Sequence, residues 1–189
     1  DLMRYGIGDI THSSGHHDHF NQWMWQRLLW LPRTSLEDVV KEYCQTWFGP
    51  EAAPEMAKAL FIFEDNMTDQ PGTITQKEGI EEYYNLVKMA GKKMPVWRME
   101  NNWLWRMYMQ KGAIDKYVKL SVIQQTELQT RIEDFIASGN TSDNSIKEAL
   151  TWFDGISETG EMAALREEAT QLGEESNKLF GMNSEGLSN

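Results

Sequence analysis

Between Pro95 and Gly139 the chain contains one helix-breaking residue, Gly112, and this long run constrains the fold more than any other feature. From Ile114 onward, Val118, Ser121, Gln125, Leu128, Ile132 and Phe135 follow by steps of four and three, the spacing of one helix face against a neighbour. The pattern predicts one long helix, with Gly112 as the place where it would kink. Polar Ser121 and Gln125 in the seam point to a partner inside a bundle rather than to a free coiled coil.

The same period organises the rest of the chain. Phe20, Trp23, Met24, Leu28 and Leu31 form a first helix, with Asp18 as its N-cap and Pro32 as its stop. Ser35 and Asp38 open a second helix carrying Leu36, Val39, Val40, Tyr43 and Trp47, and Gly49-Pro50 ends it. A third carries Met56, Leu60 and Phe63 and frays near Asn66, ahead of the breaker run Asp69-Gln70-Pro71-Gly72. Thr75 with Glu78 is the expected cap of a fourth, with Ile80, Tyr83, Tyr84 and Val87 along its face. Beyond the long helix, Ile146, Leu150 and Phe153 mark a short one, and Met162, Leu165, Ala169, Leu172 and Leu179 a last one.

The expected fold is therefore all-α, a multi-helix bundle of about seven helices around one long central helix, preceded by a short non-helical segment. We divide the chain into an N-terminal strand or loop with the first helix, 1–31, and a helical bundle, 32–189. Asp1 is neither an initiator Met nor the start of a signal segment, so a longer parent polypeptide is expected. The 189 residues, 40% hydrophobic with eight Trp, suffice for a real core. The formal net charge of -11 opposes binding to nucleic acid or to an anionic lipid surface. No apolar stretch reaches membrane-spanning length.

Chemistry is sparse. The four histidines His12, His16, His17 and His19 fall within eight positions, together with Asp18. Imidazole and carboxylate can hold a transition metal, but the spacing matches no helical ligand pattern. A solvated loop that caps a helix is favoured over a substrate-contacting loop, and that over a metal site; no metal or cofactor is expected. The acidic pairs Glu81-Glu82, Glu167-Glu168 and Glu174-Glu175 read as solvated helix faces. Trp97, Asn101, Trp105 and Tyr108 share one stripe if a single helix runs through them, and aromatic rings can stack on sugars. Core packing is the favoured reading of Trp97, Trp105 and Tyr108. Cys44 stands alone on a helix pattern and is expected to be packed, and no nucleophile with an activating base is visible.

Two passages carry a resemblance. Tyr5 to Pro32, with Gly15-His16-His17-Asp18-His19-Phe20-Asn21 running into Trp23, Trp25, Leu28 and Trp30, and Tyr43 to Pro50 resemble the segment joining the last strand of a glycosidase-like TIM barrel to its C-terminal helical region. Ser14, Gly15, Asp18 and Asn21 fit the turn that leaves the barrel. Leu60 to Asn66, Trp103-Leu104-Trp105-Arg106 and Ala113 to Tyr117 are similar to the helical region that follows in large hexosaminidase-like bacterial proteins, many of them secreted or periplasmic.

The resemblance implies a non-catalytic C-terminal accessory domain. It also implies a loop containing His16, His17, Asp18 and Asn21 beside a substrate cleft, and a preceding domain of the same polypeptide as partner, through which carbohydrate would be met. No catalytic residue carries over, and no activity is expected of the module alone. An independent helical protein-binding module and a small His-cluster metalloprotein are the other two readings.

Overall fold

The computed structural model describes residues 18–67 and 74–181. Among these, eight α-helices and a short 3-10 turn, Ile74–Gln76, account for the regular structure, and no strand occurs. The helices are α1 (Asp18–Trp30), α2 (Leu36–Phe48), α3 (Ala53–Met67), α4 (Gly79–Lys93), α5 (Val96–Glu100), α6 (Trp103–Ala137), α7 (Asp143–Asp154) and α8 (Gly160–Phe180). The all-α bundle with a long central helix is what the spacing predicts. None of these helices is long and apolar enough to cross a membrane.

The caps explain most boundaries. Ser35 Oγ accepts the Asp38 amide at 3.1 Å and donates to the Asp38 carboxylate at 2.8 Å, one half of a capping box. Gly49, at φ +90, closes α2 in a conformation that an L side chain resists, and its amide reaches the Gln45 carbonyl. Ser142 and Thr159 cap α7 and α8 in the same way.

Three details depart from the expectation. Thr75 lies within the 3-10 turn, and α4 starts at Gly79 without a side-chain cap. The region after Pro95 is two helices, not one, which makes eight in all. Asn102 interrupts it: the residue is extended, and its side chain accepts the Trp105 amide at 2.9 Å while donating to the Trp47 carbonyl at 2.6 Å. A short polar side chain that satisfies an orphan helix amide and a neighbouring helix end together favours a cap over continuation.

Gly112, expected to mark a kink, lies inside one assigned helix. A Cβ there would sit 3.1 Å from the Tyr83 ring and 3.3 Å from the Tyr84 backbone, so the missing side chain lets α6 cross close to α4. Gly91 serves the same crossing, since its Cβ would meet the Trp105 indole at 2.5 Å.

The core sits where α2, α3, α4, the first half of α6 and α8 converge. Tyr43, Phe48, Met56, Tyr83, Val87, Leu104, Tyr108 and Met109 are its largest fully buried side chains, and Cys44 is buried among them. Helix α8 runs antiparallel to α6: Arg106 pairs with Glu175, Gln110 Nε2 donates to the Ala169 carbonyl at 3.0 Å, and Lys116 meets Glu161 at 2.8 Å. Beyond Gln125 this support stops. The end of α6 and α7 form an arm in which only Leu128 and Ala149 are buried.

Candidate functional site

The described residues form two candidate places, and the residues singled out in the sequence fall only partly within them. His16 and His17 lie outside the described residues, as does His12. Asp18 and Asn21 are on α1, Asn21 exposed to solvent. Trp97 belongs to α5 and Trp105 and Tyr108 to α6, so the expected stripe is broken by the Asn102 cap. Trp97 is 64% exposed, Trp105 half-buried, and Tyr108 a core residue closed to any ligand.

The first place is an aromatic nest at the junction of α1, α2 and the start of α6. The His19 ring stands edge-on to Trp47 at 4.7 Å and to Trp103 at 5.5 Å, and Phe20 and Trp23 lean on Tyr43 at 5.0 and 5.8 Å. His19 Nδ1 lies 3.1 Å from the Tyr43 hydroxyl, which is 3.4 Å from the Tyr108 hydroxyl. Burial lowers the His19 pKa, so its imidazole is the neutral form that can bond Tyr43. Burial foremost, then the neighbouring Tyr108, pushes the Tyr43 phenol up, and burial lifts the Cys44 thiol to about 12. Tyr43 and Cys44 thus stay protonated near neutral pH, and neither is poised as a nucleophile.

The indole N–H groups of Trp23 and Trp47 are buried here without hydrogen-bond partners among the described residues. An orphan of this kind costs about 1–3 kcal/mol. Outside the nest, α1 is partly exposed: Trp25 and Trp30, with Leu31 just beyond its end, face solvent, Trp30 at 82%, while Met24, Leu28 and Leu29 are half-buried. An ion pair, Arg27 Nε to Glu42 at 2.6 Å, ties its far end to α2.

The second place is a cleft of about 660 Å³ between the α5–α6 junction and α8, lined among others by Asn101, Trp105, Arg106, Glu168, Gln171 and Glu175. The Trp105 indole is seated on Gly91 and donates to the Val87 carbonyl at 2.9 Å. Arg106, 6% exposed, pairs with Glu175 and donates to the Glu100 carbonyl at 3.1 Å, while its Nε is buried without a partner. Glu168 accepts from Tyr84 at 2.6 Å and from Lys88 at 3.2 Å. Each carboxylate is thus engaged by a fixed donor, an arrangement that locks α8 onto α4 and α6. Sequence reasoning missed Arg106, whose one sign was a cation between the apolar Trp105 and Met107 near the helix start.

Among the described residues no group of three or more His, Cys, Asp or Glu could hold a metal ion. The His-cluster reading rests mostly on positions outside them.

Residues 4–60 match the family model of a domain of unknown function, DUF4838. The matched span takes in all of α1 and α2 and the first half of α3, and so His19, Phe20, Trp23, Tyr43 and Trp47 of the nest but not Trp103. No curated protein and no solved structure matches the chain.

Proposed function

We propose that the chain is a non-catalytic helical accessory domain that docks, through α1, on a preceding carbohydrate-processing domain of the same polypeptide. The observation that carries the reading is the mismatch between what α1 is made of and how it is covered. Phe20, Trp23, Met24, Trp25, Leu28, Leu29 and Trp30 are spread over more of its circumference than one neighbouring helix can cover. None of its residues is buried. Phe20 and Trp23 pack on the core and Met24, Leu28 and Leu29 are half-buried, while Trp25 and Trp30 stay exposed.

Two further points support it. The DUF4838 match begins ahead of α1 and runs through it into the bundle. The likeness of Tyr5 to Pro32 to the segment that leaves a hexosaminidase-like TIM barrel indicates which kind of domain would lie against the helix. His16, His17, Asp18 and Asn21 would then border that domain's cleft, because active sites of the barrel gather at the C-terminal ends of its strands.

Hydrogen exchange on α1 tests the proposal, with this chain compared against the longest polypeptide its gene encodes. The expected result is strong protection of the α1 amides, and loss of Trp30 quenching by iodide, in the longer polypeptide only. Equal exchange in both, or a gene that encodes nothing ahead of Asp1, overturns it.

A further inference from the structure

Helix α8 turns two faces inward. Leu165, Ala169 and Leu172 are buried in the core. Beside them Glu168, Gln171, Glu175 and Lys178, stepping by three, four and three, form a polar row that lines the cleft of about 660 Å³ at the α5–α6 junction. The row is ten residues long, roughly 15 Å. On the other side of the cleft stand Met99 and Trp105. The Trp105 indole N–H is already bonded to the Val87 carbonyl, so what the ring offers the cleft is carbon.

The row is held in place from behind. Glu175 takes Arg106 on one oxygen and Gln171 Nε2, at 3.1 Å, on the other. Glu168 takes the Tyr84 hydroxyl and the Lys88 ammonium in the same manner. The two carboxylate side chains nevertheless stay 39% and 30% exposed, and each oxygen keeps a second lone pair for another donor. Arg106 is buried, and its Nε has no partner among the described residues. A buried guanidinium is a costly way to join two helices, since an apolar side chain of similar volume would do so as well or better. What the charge adds is a carboxylate fixed in direction at the wall of a cleft.

The lining restricts what can enter. It contains the carboxylates Glu100, Glu168 and Glu175, and these are offset by Arg106 and Lys178 in the lining and by Lys88 behind Glu168. An anion would meet the carboxylates, and a cation would have to compete with donors that already hold them. A wholly apolar molecule would strip water from the polar row and return no hydrogen bond. A neutral molecule with hydroxyls along its edge and C–H groups on its face satisfies both walls: the hydroxyls donate to fixed carboxylate and amide oxygens, and the face lies on the electron-rich surface of the indole. The cleft volume is in the ordinary range for small-molecule sites, and a row of this length exceeds one sugar ring.

We propose that the cleft between the α5–α6 junction and α8 binds a short uncharged oligosaccharide, its rings laid against Trp105 and its hydroxyls turned to Glu168, Gln171 and Glu175. The site makes no use of α1, so it stands or falls apart from the preceding-domain reading.

The test is a titration of the full chain, followed through the Trp105 indole N–H resonance, with cellotriose, maltotriose, xylotriose and chitotriose. Tri-lysine and tri-glutamate peptides serve as charged controls. Each is taken to about 20 mM, a range that detects millimolar affinity. At least one trisaccharide is expected to shift the resonance saturably, and neither peptide is. Gln171→Ala and Lys178→Ala, both at exposed positions, should each weaken that binding at least about five-fold, the loss of one hydrogen bond, with no change in melting temperature. Trp30→Ser on α1 should leave it unaltered. Silence with all four trisaccharides, an affinity indifferent to Gln171→Ala, or equal binding of either peptide overturns the proposal.

Discussion

The two halves of α6 belong to one uninterrupted helix, yet they live in different surroundings. In the first, Leu104, Arg106, Tyr108, Met109, Gly112 and Ala113 are buried beneath α2, α4 and α8. In the second only Leu128 is, although Ile132, Phe135 and Ile136 are as apolar as anything in the first. Apolar content alone does not bury a residue; the number of helices around it does, and that number falls from several to one along this helix. Local stability should follow the same gradient, because amides with few packed neighbours open at lower cost.

The comparison is broken most directly by truncation. Leu104→Ala should cost about 3 kcal/mol in urea denaturation, the usual loss for a closed core site, whereas Leu128→Ala should cost about 1 kcal/mol because solvent already reaches the rim of its site. Equal losses would mean that the arm is stabilised as part of the core.

A smaller effect sharpens it on the core side. Gly91→Ala forces a methyl group into the Trp105 indole and should cost about 2 kcal/mol. Combined with Trp105→Leu it should cost less than the two single variants together, since the clash disappears with the ring. Additive losses would show that the glycine is needed for some reason other than this contact.

Next come the caps at the two ends of the comparison. Asn102→Ala removes both the acceptor for the Trp105 amide and the donor to Trp47, and about 2 kcal/mol is expected. Ser142→Ala removes one exposed cap bond at the base of α7, worth about 0.5–1 kcal/mol.

The smallest effect is a pH dependence. Burial holds the His19 pKa below its ordinary 6.5, so the unfolded chain takes up the proton first. Between the lowered value and 6.5 the unfolded state binds more protons, and the contribution of His19 to stability is lost as pH falls through that window. His19→Gln should flatten the change in melting temperature from pH 7 to pH 5 relative to the parent, which isolates this group from the carboxylates titrating nearby. An unchanged slope would mean that His19 titrates as it does in water.

Much of the bundle could be read from periodicity because amphipathic helices advertise their buried face. Tyr43, Tyr83, Leu104 and Leu165 are buried in the structure, and the four- and three-residue steps locate their helices. The Asn102 break was not legible, because its cause is a hydrogen bond to Trp47, fifty-five residues away. Gly112 and Gly91 read locally as weaknesses, and their role in the α4–α6 crossing becomes visible only with both helices in place. The candidate sites were less legible still. Trp97 and Trp105 share a sequence spacing but not a helix, and the openness of α1 and α7 follows from what does not pack against them. A hydrophobic period gives the direction of an apolar face and is silent on whether anything meets it.

Helix α6 reaches from the aromatic nest, where Trp103 touches His19, to the arm, where Phe135 touches Trp152. Thirty-five residues at 1.5 Å each make a strut of roughly 50 Å with no joint in it. The nest and the arm are therefore held apart at a set spacing, and a tilt of a few degrees where α6 is seated on α4 would swing the far end by several Å, roughly a helix turn at most. In mechanical terms α6 is a lever, and Gly112 marks the bearing where it rests on α4.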